Sequence, residues 1–121
     1  PQETIALSAM YGANHFPGMR GLASLTEHGT TPTMMSRLSS GLPIFALSRR
    51  AETLQRLALC RGVIPLFFDF SAFAPIDLEA RTIEFLVDGG FVSQGDFILM
   101  TMGGAQGEAG KTDMMKILPV E

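Results

Sequence analysis

Charge is scarce in this sequence. Acidic and basic side chains make up 17% of the 121 residues, against roughly 25% in an average soluble domain. A chain with so few charges is expected to cover part of its surface with a neighbouring domain or a second subunit. The nine basic and twelve acidic residues leave a net charge of −3. No basic stripe appears, so the electrostatic footprint of a nucleic-acid binder is missing. Cys60 is the one cysteine, which excludes an internal disulfide and fits a reducing, cytoplasmic setting. No apolar run approaches the length of a membrane span, and the start does not read as a signal peptide. The sequence opens at Pro1 rather than Met, as a trimmed chain or a piece of a longer polypeptide would.

What is present suffices for one domain, residues 1–121, with a real core and no linker or repeat. Gln2 to His15 has a helical pattern: Ile5, Ala9 and Ala13 share a face, and Leu7, Met10 and Tyr11 add a second apolar side. Such a helix wants partners on more than one side. Gly21 to Thr26 reads as a buried strand. Glu27 to Thr30 follows as a turn, with Thr31 as N-cap and Pro32 opening a helix that ends near Gly41. Pro43 to Leu47 reads as a second buried strand. Ser48 is placed to cap a helix running through Leu54, Leu57 and Cys60 to Gly62. Val63 to Phe68 is a third strand and 69–76 a loop. Asp77 to Asp88 is a helix with Leu78, Ile83, Leu86 and Val87 turned inward, stopped by Gly89-Gly90. Phe97 to Thr101 is a fourth strand, Met102 to Gly110 a glycine-rich loop, and Met114 to Val120 a last strand. Alternating strands and helices predict an α/β three-layer sandwich with a mostly parallel sheet and helices on both faces. No helix separates the last two strands, so the last is expected to be antiparallel and at an edge.

The strongest site candidate is Thr26-Glu27-His28-Gly29-Thr30-Thr31. It joins the C-terminal end of a strand to a helix N-terminus, where backbone N–H groups and the helix dipole favour an anion. Three threonine hydroxyls add donors, Gly29 permits close approach, and open α/β sheets bind ligands at these strand ends. A plain N-capped turn is the competing reading. Ala105 to Thr112, A-Q-G-E-A-G-K-T, approaches a nucleotide phosphate loop. That loop needs a helix behind it, and the residues from Met114 are strand-like with a helix-breaking Pro119. It is expected to close over a ligand, with Lys111 as a point charge, rather than to hydrolyse a nucleotide. The histidines lie apart, so no transition-metal site is expected, and no catalytic triad has recognisable context. Glu79, Glu84 and Asp88 read as a solvated helix face, and Cys60 as a structural thiol on its helix.

Four segments together resemble the C-terminal domain of pyruvate kinases. Leu25 to Thr31 looks like that family's effector-phosphate loop. Met35-Ser36-Arg37-Leu38-Ser39-Ser40-Gly41-Leu42-Pro43-Ile44 with Ala46-Leu47-Ser48-Arg49 is similar to the following helix and strand, most closely in bacterial members. Arg61-Gly62-Val63-Ile64-Pro65 resembles a further element. Gly95-Asp96 with Gly110-Lys111-Thr112-Asp113 resembles the closing strand and its return. The resemblance implies a five-stranded regulatory domain that packs subunits of a homotetramer and binds an allosteric phosphate ester. It also implies that catalysis, with Mg²⁺, K⁺, ADP and phosphoenolpyruvate, belongs to a (β/α)₈ barrel absent from this chain. No cofactor is expected in this domain, and alone it should be inactive. The implied effector residues are Thr26, Glu27, His28, Gly29, Thr30, Thr31, Gly107, Gly110 and Lys111. Fructose 1,6-bisphosphate-activated members often carry a basic residue where this chain has Glu27. A carboxylate there opposes a phosphate, and Arg81 looks displaced from a second-phosphate position, so AMP or a sugar monophosphate is the expected ligand, with loss of effector binding as the alternative. Two alternatives are a free-standing phosphate- or nucleotide-binding α/β module and a P-loop nucleotide hydrolase.

Overall fold

The computed structural model describes residues 2–38, 41–102 and 114–121. The elements in chain order are α1 (Gln2–His15), β1 (Met19–Leu25), α2 (Thr30–Leu38), β2 (Ile44–Ser48), α3 (Ala51–Leu57) and β3 (Val63–Phe67). Two single-turn 3-10 helices follow (Phe70–Ala72 and Pro75–Asp77), then α4 (Leu78–Asp88), β4 (Phe97–Met102) and β5 (Met114–Pro119). The sheet runs β3-β2-β1-β4-β5. The first four strands are mutually parallel and β5 is antiparallel to β4 at the edge, as expected from the sequence.

Both faces of the sheet are covered. Leu22, Ile44, Ala46 and Leu99 point to one side and pack with Ala6, Ala9 and Met10 of α1, Met35 of α2 and Leu57 of α3. Ala23, Leu25, Phe45, Leu47, Ile98 and Met100 point to the other, against Leu78 and Leu86 of α4 and the buried rings of Phe68 and Phe70. Adjacent residues serve opposite faces, and both are apolar. This is why β1 and β2 read as continuous hydrophobic runs rather than alternating ones. β3 is the other edge strand, which is where Pro65, lacking an N–H, costs least.

Several local expectations are corrected. The Gly29 carbonyl accepts the first helical bond, from Thr33 N–H at 3.1 Å. Gly29 is therefore the cap of α2, and Thr31 and Pro32 lie inside its first turn. Ser48 does not cap α3. It is still paired in β2 and wholly buried, and its hydroxyl oxygen accepts from Arg50 N–H at 3.2 Å. Arg50 is the N-cap, without a side-chain capping bond. Cys60 lies beyond α3, where the chain tightens and Cys60 N–H donates to Leu57 O at 3.0 Å. Val87 faces solvent on α4, and Leu7 and Tyr11 stay exposed on α1.

Gly21 fixes the approach of β1 to β2. A Cβ there would meet Phe45 Cε2 at 2.8 Å and the Pro43 carbonyl oxygen at 3.0 Å. Gly21→Ala is expected to lower stability by about 1–3 kcal/mol through overpacking. Urea denaturation checks this; an unchanged midpoint would refute it.

Candidate functional site

The strand order reverses between β1 and β4. From β1 the chain turns to β2 on one side, and from β4 it turns to β5 on the other. β1 and β4 are direct neighbours, with Ser24 opposite Thr101. The segment after β1 therefore opens at a topological switch point, where open α/β sheets place ligands. Met102 and Met114, which flank residues 103–113, are paired partners at the same end of the sheet. Gly107, Gly110 and Lys111 lie outside the described residues. Met114 onward is strand, so the helix that a nucleotide phosphate loop needs does not start there.

The six residues Thr26 to Thr31 form one tight bend. Thr26 N–H donates to Leu47 O at 2.9 Å, extending the ladder to β2. Thr26 Oγ1 accepts from Gly29 N–H at 2.8 Å and closes the turn. Gly29 has φ of +84°, and a Cβ there would lie 3.2 Å from Leu57. Both facts demand glycine. Thr30 is half-buried, while Thr31 is 1% exposed and packs inward.

Glu27 does not face outward. It is 7% exposed, and its Oε1 accepts from Arg49 Nε at 2.9 Å. The carboxylate raises the Arg49 pKa first through this hydrogen bond, then through its charge, with Asp69 adding to it. The like-charge objection to a phosphate at this loop is thus offset by a guanidinium already in contact with the carboxylate. Arg81 is engaged elsewhere, with Glu84 at 3.1 Å and over the Phe73 ring.

Sequence reasoning missed the contribution of β2 and α3. Thr53, wholly buried, donates its hydroxyl to Glu27 O at 2.7 Å, and Arg56 Nη2 donates to His28 O at 3.1 Å. The Glu27–Arg49 pair carried a readable signal. β1 and β2 pair at a constant offset, Leu22 with Ile44 through Leu25 with Leu47, and the same offset carries Glu27 to Arg49. Beside the bend lies a cavity of about 270 Å³ lined by His28, Gly29, Thr30, Thr33, Met34, Arg37 and Arg56. Two guanidiniums and a helix N-terminus make its wall electropositive. No group of three or more metal-ligating side chains stands together among the described residues.

Comparison with known proteins assigns the family. Residues 3–118 match the model of the pyruvate kinase alpha/beta domain. Pyruvate kinase II of Salmonella typhimurium is 43% identical over 120 residues, which is 99% of this chain and 25% of that protein. The pyruvate kinase of Haemophilus influenzae is 45% identical over 120 residues, 99% of this chain and 24% of its own length. That of Buchnera aphidicola subsp. Baizongia pistaciae is 44% identical over 119 residues, 98% of this chain and 25% of that protein. The fold and these matches define an α/β domain of the pyruvate kinase type. The chain belongs to the pyruvate kinase alpha/beta domain family and spans about a quarter of the length of these relatives.

Two predictions follow from the geometry. Gly29→Ala forces an L-residue into positive φ against Leu57 and is expected to cost about 1–3 kcal/mol, read as a lower thermal midpoint. In the first turn of α3, the Glu52 carboxyl is held below its ordinary pKa by its own backbone N–H, helped by Arg50 and opposed by desolvation. Its contribution is full above the unfolded carboxylate pKa and fades as pH falls through the lowered folded value. The stability gap between wild type and Glu52→Gln, measured by denaturation, should therefore be present at pH 7 and closed at pH 2; a gap independent of pH would contradict this.

Proposed function

We propose that this chain is the regulatory and subunit-assembly domain of a pyruvate kinase, binding a phosphate monoester, AMP or a sugar monophosphate, at Thr26 to Thr31. The supporting observation is that this loop opens at the one point where the strand order reverses, with a helix N-terminus behind it. On this reading the phosphate lies against the first turn of α2. The half-buried Thr30 hydroxyl and neighbouring backbone N–H groups donate to its oxygens. Arg37 and Arg56 supply positive charge from the adjoining cavity. Gly107, Gly110 and Lys111 would complete the enclosure.

Phosphoryl transfer from phosphoenolpyruvate to ADP would belong to a catalytic barrel outside this chain, together with its Mg²⁺ and K⁺. This domain would need no cofactor and would be inactive alone. Regulation then requires the effector to favour the active arrangement of the homotetramer over the inactive one. The exposed Leu7 and Tyr11 on α1 and the free edge of β5 suit burial against another subunit. The family context and the single free thiol suit a cytoplasmic enzyme.

Calorimetric titration with AMP, ribose 5-phosphate, glucose 6-phosphate and fructose 1,6-bisphosphate tests the site. A monophosphate should bind at least as tightly as the bisphosphate. The Thr30→Ala/Thr31→Ala double variant should lose about tenfold or more, a difference of roughly 1.4 kcal/mol. Binding that survives the double change intact would remove the site from this loop.

A further inference from the structure

Three successive carbonyls of the loop are all hydrogen-bonded within the chain. Glu27 O accepts from the Thr53 hydroxyl at 2.7 Å and His28 O from Arg56 at 3.1 Å. Gly29 O accepts from Thr33, at 3.1 Å from its N–H and 2.7 Å from its hydroxyl. In a trans peptide the C=O and the following N–H point in opposite directions, and no cis bond occurs among the described residues. Fixing those carbonyls therefore fixes the N–H groups of His28, Gly29 and Thr30 the other way. The Gly29 N–H is spent on Thr26 Oγ1. Those of His28 and Thr30 are turned away from the groups that hold the preceding Glu27 and Gly29 carbonyls.

From this we infer that Thr53 and Arg56 of α3 are positioning residues for the anion loop: they set its affinity for a phosphate group by holding the Glu27 and His28 carbonyls. The inference rests on the effector reading above and adds to it a determinant on a different element. A preorganised array of donors binds an anion without the ordering cost that a loose loop would incur. Thr53 is the informative residue of the two. Arg56 lines the neighbouring cavity and is near enough to meet a ligand itself. Thr53 is 0% exposed, so any effect of its hydroxyl on affinity must travel through the groups it bonds, the Glu27 carbonyl at 2.7 Å and Arg56 Nη2 at 3.4 Å.

The test is titration of the full chain, as its gene encodes it, with ribose 5-phosphate. Thr53→Val, which keeps the shape and removes the donor, should weaken binding about tenfold. Thr53→Ser, which restores the hydroxyl, should bind within about threefold of wild type. Val63→Ala, a destabilising change at a buried position of β3 away from the loop, should leave affinity unchanged. Unaltered affinity in Thr53→Val overturns this inference and leaves the effector reading standing. So does equal weakening in the serine variant or in Val63→Ala. Absence of binding by the unaltered chain, to this ester and to AMP, overturns both. Should Thr53→Val fail to fold, Thr53→Ala decides by the same titration: weakened binding that Thr53→Ser does not share supports the positioning role, and unchanged binding refutes it.

Discussion

The site depends on the register between β1 and β2. The two strands pair in parallel at a constant offset, and that offset sets Glu27 level with Arg49 one step beyond the sheet. With this pair in place, α3 starts at a height from which Thr53 and Arg56 reach the next two carbonyls. A slip of one residue would turn Leu22, Leu25, Ile44 and Leu47 to the wrong faces at once. The hydrophobic layers therefore enforce the register, and the polar site takes its geometry from them.

Charge is distributed to match. The Arg50–Glu52, Arg81–Glu84 and Lys116–Glu79 pairs have substantially exposed partners on both sides, and such pairs contribute little. In the Glu27–Arg49 pair the carboxylate is 6% exposed and the guanidinium side 44%. A carboxylate so placed must keep its partner, which ties the loop after β1 to the end of β2. A residue that looked like an obstacle to an anion in the bare sequence serves the fold as an anchor.

Much of the architecture was readable in the residues. Continuous apolar runs bounded by Gly and Pro marked β1 and β2, and the absence of a helix before Met114 gave the antiparallel edge. The errors were at helix starts, at the end of α3, where Cys60 falls outside the helix, and at Val87, which faces solvent on α4. Thr31 and Ser48 are good capping residues by type, yet Gly29 and Arg50 occupy the cap positions, because the strand ends and the positive φ of Gly29 decide where each helix begins. The bend from Thr26 to Thr31 was visible as a strand-to-helix junction. Thr53 and Arg56 were not, because their roles are contacts to main-chain carbonyls more than twenty residues away, which no local pattern encodes.

The strand order also has a temporal side. β1 is made before its partner β4, which lies about eighty residues later in the chain. Until Phe97 to Met102 has been made, one long edge of this central, largely buried strand lacks its native partner. Closing so distant a contact is slow, and an unpaired apolar edge is open to association with other chains. For a nascent chain, the interval between the synthesis of β1 and that of β4 is the period of greatest exposure to aggregation, and the period in which a chaperone would find most to hold.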